Sequence, residues 1–303
     1  MKKKINTDRL SAGLVILPSI AAMIVFVYFF IGYTIKLSFE NWNSLVPDHT
    51  FIGLKNWKDV FKSFRFRSDI RNMVFFTFLF ILLVIVLGMS LAIILDGQLK
   101  GKSFFRTVFL FPMSLSYVVT GVVWRWLLNP EAGINILLGT EFKWYTDTSV
   151  YPGIMVGGVK LGFPVALISI IIATLWQLTG FSLALYLSGL SGISDEVREA
   201  ARIDGATEWQ ITRKVIIPLL RPITSSVFIL MFQISLKVFD LVYTMTGSGP
   251  NYVTDMPAIN MYESTFRGHF YSQGSVISVC MLLVVLLFVI PSQILSGRDG
   301  GAS

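Results

Sequence analysis

Six stretches of this chain, residues 12–35, 73–95, 107–128, 164–188, 222–246 and 275–295, are each apolar over at least 21 residues. No single water-soluble core hides that many long apolar runs. At 1.5 Å per residue each can cross about 30 Å of hydrocarbon, and a bilayer obliges the backbone to satisfy its own hydrogen bonds, so each is expected to be a helix. The composition agrees, with 54% hydrophobic and 14% charged residues and a mean hydropathy of +0.68. The fold class is all-α: a polytopic membrane protein with six transmembrane helices.

The charges inside those windows are Arg125, Lys237 and Asp240. A proton-driven carrier needs a row of intramembrane acids, and an ion-gradient-driven carrier or channel needs interrupted helices in paired halves with buried coupling acids. Only Asp240 resembles such a group, so a gradient-driven carrier is the weaker alternative. A membrane enzyme would need clustered acids, histidines or an activated nucleophile, and no such cluster is visible. One cysteine, Cys280, rules out an intrachain disulfide and a thiol metal cluster, and His49 and His269 stand apart in polar connections, so no metal site is expected.

Met1-Lys2-Lys3-Lys4 ahead of an apolar run imitates a secretory signal, but the run is about 24 residues, too long for a signal core of roughly 7–15, and is expected to be retained as the first helix. With that end in the cytoplasm, the inner segments hold 13 Lys/Arg in 61 residues and the outer ones 10 in 97, a bias that favours both termini inside. The net charge of +7 fits an anionic inner leaflet and membrane lipid, with no nucleic acid required. The chain divides into 1–72 (tail, first helix, outer loop), a core of 73–296 containing a cytoplasmic loop at 190–221, and a tail at 297–303. In the first outer loop the basic run Lys62 to Arg71, with Trp57 as anchor, suggests an amphipathic element at the interface; Trp124, Trp126, Trp144 and Tyr145 suggest an aromatic belt on the second. Pro112, Pro164, Pro222 and Pro291 fall within or at the starts of expected helices and mark kinks.

Residues 190–221 form a polar island between two apolar runs. Ser194 is a good N-cap, Asp195 and Glu196 follow in the first turn, and Gly205 can stop the helix in a left-handed conformation. Val197, Ala200, Ala201 and Ile203 make one small-sided face. Thr207-Glu208-Trp209-Gln210 reads as a capping box opening a second helix that is expected to end before Pro218. Small residues at Ala200 and Ala201 suit entry into a partner's cleft, with Glu199, Arg202 and Asp204 as charges at its rim. An ordinary hairpin lying on the membrane has the same local chemistry, and the residues alone leave both readings open.

The island resembles the EAA motif of permease subunits of binding-protein-dependent ATP-binding cassette importers. Glu199, Ala200, Ala201, Gly205 and Pro218 match in register, with Val215 and Ile217 as conservative exchanges. Further stretches are similar to the carbohydrate branch of that family: Gly101 to Arg106, Trp124 to Pro130, Arg202 to Thr207, Phe239 to Tyr243, and Thr246-Gly247-Ser248-Gly249-Pro250, where the family usually has a third glycine at Ser248. Residues 252–273 look closest to glucose- or mannose-type sugar permeases. The resemblance implies the type I importer permease fold and an alternating-access pore shared with a second permease subunit, usually a different chain. It also implies two copies of a cytoplasmic ATPase and an extracytoplasmic sugar-binding protein. The chain itself would be non-catalytic and bind no cofactor, ATP and Mg being used by the ATPase. By that match the island is the coupling helix: Glu199 meets a basic residue of the ATPase, Ala200 and Ala201 allow close seating, and Gly205 makes the elbow.

Residues 97–103 imitate a phosphate loop, but three residues instead of four separate the glycines and no strand precedes them. Lys237 and Asp240, three apart, are expected on one face of the fifth helix, where they can pair and either line the pore or steady the fold. Trp176, Gln177, Thr179, Gln233, Lys237, Asp240 and Tyr243 offer the hydrogen bonds and aromatic faces that sugars require, although Gln177 and Gln233 equally suit helix-to-helix packing.

Overall fold

The computed structural model describes residues 7–97 and 101–299, with side chains for 15–97 and 101–291. The basic start at Met1 to Lys4, residues 98–100 of the phosphate-loop imitation and the last residues of the C-terminal tail lie outside that range. Four helices among the described residues are long and apolar enough to cross a membrane, or up to six if two bent pairs each count as a span.

The first span, α1, runs Thr7–Met23, a π turn Ile24–Phe29 and Phe30–Leu37. After the short α2 (Lys55–Lys62) comes the unbroken 33-residue α3 (Phe64–Asp96). The third window divides into α4 (Lys102–Leu110), a 3-10 turn Phe111–Ser114 and α5 (Tyr117–Leu127), bent by 101°. Pro112 withholds an N–H there, and the Ser116 hydroxyl restarts the helix by accepting from the Val119 amide at 3.3 Å. The short α6 (Ile134–Leu138) and an antiparallel hairpin, β1 (Val150–Val156) with β2 (Val159–Pro164), precede α7 (Leu167–Ser191). The polar α8 (Asp195–Ile203) is followed by α9 (Glu208–Ile211, a π turn Thr212–Ile216, then Ile217–Leu219). Next come α10 (Arg221–Leu236), α11 (Asp240–Met245), α12 (Pro257–Tyr262) with a π turn Glu263–Arg267, and α13 (Tyr271–Asp299).

Three local expectations are corrected. The basic run Lys62 to Arg71 is not a surface element: from Phe64 it forms the first turns of α3, because Ser63 caps that helix by accepting from the Phe66 amide at 3.1 Å. Pro164 ends a strand instead of opening a helix. The hairpin turns on Gly157 and Gly158, both with positive φ, a turn whose twist suits paired strands. The helix after the elbow does not stop before Pro218 but continues to Leu219; the π turn Thr212–Ile216 just ahead re-phases the ladder where proline has no N–H to give.

The chain forms two compact units. One comprises Met1–Lys62 with Met261–Leu283. Its connection after α1 is tied down by polar contacts: buried Glu40 accepts from Lys36 Nζ at 3.1 Å and meets His49 Nδ1 at 2.8 Å. Burial pushes that carboxyl up, but the bonds from His49 and Lys36 outweigh it and hold it below the usual carboxylate range. Trp57 stacks on Phe39 and Phe61. The other unit comprises Ser63–Asn260 with Val284–Ser303. Its core is the α3–α7 contact, with Phe76, Phe80, Val84, Ile170, Leu183 and Tyr186 buried. Gly88 lets the two helices close, since a Cβ there would overlap the Ser182 hydroxyl. α10 joins through Thr77 to Ser235 (3.1 Å) and Tyr186 to Thr224 (3.1 Å).

Candidate functional site

The polar island folds as two short helices about a glycine elbow. Ser194 is extended before α8, and its carbonyl accepts from the Val197 amide at 3.2 Å. Asp195 and Glu196 occupy the first turn, where the helix dipole favours acids. The helix ends in a left-handed cap: Gly205 has φ +79°, its amide reaches Arg202 O at 3.0 Å, and the Ala206 amide reaches Ala201 O at 3.0 Å. Thr207 then opens α9 with the expected capping box, its hydroxyl accepting from the Gln210 amide at 3.3 Å while its amide donates to Gln210 Oε1 at 2.8 Å. Arg202 Nε spans the elbow to Glu208 Oε1 at 2.8 Å.

This geometry sorts the predicted residues. Glu199, Ala200, Arg202, Asp204 and Gly205 are exposed. Ala201 is half-buried and, with Ala206, packs on the chain's own core, so the two alanines do not share one outward face as the spacing suggested. Ile203, expected on one face with Ala201, instead points outward at 86% exposure, and Trp209, across the elbow, is 69% exposed. Large apolar side chains exposed at the tip of a charged segment suit a surface covered by a partner or by the membrane. Arg198, on the opposite side of α8, donates from Nη2 to Asp96 Oδ2 at 2.6 Å, fixing the elbow to the end of α3.

A second feature lies where α3, α5, α7 and α10 meet the break before α11. A cavity of about 300 Å³ is lined by Tyr117, Thr174, Phe181, Gln233, Lys237 and Asp240, among others. Of the predicted path residues it gathers Gln233, Lys237 and Asp240. Gln177 is buried and donates to Leu115 O at 2.8 Å across the break in the third window, which is the packing use of an amide. Trp176 meets Trp124 edge-on at 5.9 Å, Tyr243 stacks on Phe239 at 5.0 Å, and Thr179 is half-buried; none of the three lines the cavity. Tyr117, Thr174 and Phe181 were missed, although polar and aromatic residues inside otherwise aliphatic windows were the available signal.

Lys237 and Asp240 do not share a helix face. α10 stops at Leu236, Phe239 has φ −128° and ψ −65°, and α11 starts at Asp240. Among the described residues the two form no ion pair with each other. The break instead puts the cation at a helix C-terminus and the acid at a helix N-terminus, the ends whose partial charges favour them.

The family described as binding-protein-dependent transport system inner membrane component matches residues 84–298. A probable ABC transporter permease protein of Pyrococcus horikoshii is 35% identical over 285 residues, 92% of each chain. The xylose/arabinose import permease protein of Haloferax volcanii is 31% identical over 92% of this chain and 86% of its own. The trehalose/maltose transport system permease protein of Thermococcus litoralis is 31% identical over 91% and 90%. In fold, the chain is similar to a solved bacterial ABC transporter involved in the import of the acidic polysaccharide alginate, with TM-score 0.80, 98% of each chain covered and 20% identity.

Proposed function

The chain belongs to the family of binding-protein-dependent transport system inner membrane components, non-catalytic multi-pass membrane permeases, and from that premise we propose that it forms half of the translocation pore of an ATP-driven sugar importer. The observation that carries the coupling role is the elbow at Gly205, which holds Glu199, Ala200, Ile203 and Trp209 outward on a short, capped, charged tip. That tip is built to enter a groove. In this reading it is the coupling helix, facing the cytoplasm with both termini, and it docks on one of two ATPase copies that use ATP and Mg. Glu199 pairs with a basic residue of the groove, Arg202 and Asp204 border it, and Gly205 sets the angle of approach. A second permease subunit completes the pore, and an extracytoplasmic binding protein delivers the sugar. The relatives' names span pentoses and disaccharides, so the support is for sugars as a class.

Lys237 and Asp240 are both exposed within the membrane unit, and charges at such depth face protein or water instead of lipid. The cavity they border with Gln233 and Tyr117 is therefore assigned to the sugar path, facing the second subunit. Asp240→Asn should weaken transport about tenfold, the scale of one hydrogen bond to a charged group, with assembly unchanged. Wild-type transport kinetics would return Asp240 to a purely structural part.

The overall reading is tested by uptake of labelled mono- and disaccharides into vesicles holding the complex purified from native membranes together with the binding protein. Uptake should require ATP inside and survive ionophores. Uptake without ATP that collapses with the ion gradient would contradict it.

A further inference from the structure

Both ends of α3 are clamped by charged groups, buried at one end and partly shielded at the other, at sites the sequence left unnoticed. At the Phe64 end, Arg65 Nε donates to Asp255 Oδ2 at 2.6 Å and its guanidinium lies 5.1 Å from the centre of the Tyr252 ring. Asn72 Nδ2 donates to the carbonyls of Tyr252 (2.7 Å) and Asp255 (2.8 Å), and Asn260 Nδ2 donates to Asp69 Oδ2 at 2.5 Å. Asp69, Asn72 and Asp255 are fully shielded. Tyr252 has φ +58°, a conformation a large non-glycine residue keeps only where its surroundings impose it. At the other end the Arg198–Asp96 pair joins α3 to the elbow, each side chain about one-fifth exposed.

Between these clamps α3 runs 33 residues without a π turn or a proline, about 50 Å at 1.5 Å per residue. α7, packed along it, is likewise unbroken over 25 residues, whereas the third window bends by 101° and the chain turns by 61° between α9 and α10. An unkinked helix packed along α7 carries an axial displacement that a hinged one absorbs. The clamped loop is joined to the cavity through the chain. Gly249 packs so tightly on Thr254 that a Cβ would overlap its hydroxyl, and the chain leads back from that turn through α11 to Asp240.

We infer that α3 is a strut linking the elbow to the 252–260 loop, with Arg198–Asp96 locking one end and Arg65–Asp255, Asn72 and Asp69–Asn260 the other. Resting on the importer reading above, this makes the residues of these ion pairs positioning residues through which loading of the binding protein outside is felt by the ATPase inside. A coupling claim of this kind needs a two-ended test.

The complete importer in lipid nanodiscs is assayed for ATP hydrolysis with and without sugar-loaded binding protein, each variant first being shown to co-purify with its partners. Asp96→Asn and Arg65→Gln should each reduce the stimulation about tenfold, within the range of allosteric couplings, leaving unstimulated hydrolysis within about twofold of wild type. Because both act on one strut, the double variant should lose no more than the worse single one. Exchanging the inner pair, Asp96→Arg with Arg198→Asp, should restore most of the stimulation, which a merely structural charge loss does not explain. Full stimulation in both single variants, losses that multiply in the double, or no recovery in the exchange would overturn the strut. A wild-type complex indifferent to the loaded binding protein would remove the importer reading itself.

Discussion

Glu199→Lys is expected to abolish sugar uptake while the chain still inserts, accumulates and resists proteolysis as wild type does. Glu199 is exposed on α8 and forms no ion pair among the described residues, so its replacement costs the chain itself little. The effect falls on docking. If Glu199 meets a basic side chain of the ATPase, reversal turns an attraction into a repulsion, each of about 4 kcal/mol at contact distance with a surface-like dielectric. Even heavily screened, that difference lowers coupled transport by about a hundredfold or more. A compensating acid in the ATPase groove should restore it. Wild-type uptake by Glu199→Lys would remove the residue from the interface.

Gly180→Val is expected to have the largest effect on folding. Gly180 lies in mid-α7 against the break in the third window, where a Cβ would overlap the Phe109 carbonyl oxygen and come within 3.0 Å of its carbon and 3.2 Å of Leu110 Cα. These are backbone atoms and no rotamer change relieves them. The cost should reach about 3 kcal/mol, the upper end for overpacking, and more if Gln177 also loses its bond to Leu115 O. The readout is the yield of folded chain and its thermal aggregation temperature in detergent. Gly32→Ala is the control, because nothing lies within 4 Å of a Cβ there; equal stability of the two variants would contradict the packing account.

What the sequence conveyed follows from the range of the forces involved. The elbow was largely legible residue by residue, since Gly205, Thr207 and Gln210 act on backbone groups within a turn of themselves, whereas Ser194 stands at the N-cap without a side-chain cap bond. The six apolar windows were legible because hydropathy adds along the chain. Direction does not add in that way: the 101° turn near Pro112 and the break at Lys237 to Phe239 sit inside windows whose hydropathy alone does not reveal them. The hairpin was within reach, as Gly157-Gly158 lies between two runs of strand-forming residues. The clamp at Arg65, Asp69 and Asn72 was not, because its partners Asp255 and Asn260 lie more than 180 residues away and the charges read locally as a surface run.

The central claim is that this chain is one part of an ATP-driven machine, and native mass spectrometry of the complex extracted gently from its own membrane tests it most directly. The account predicts a particle holding this chain, a second six-span permease and two copies of a nucleotide-binding ATPase. The chain recovered alone, and still moving sugar across vesicles without ATP, would contradict it.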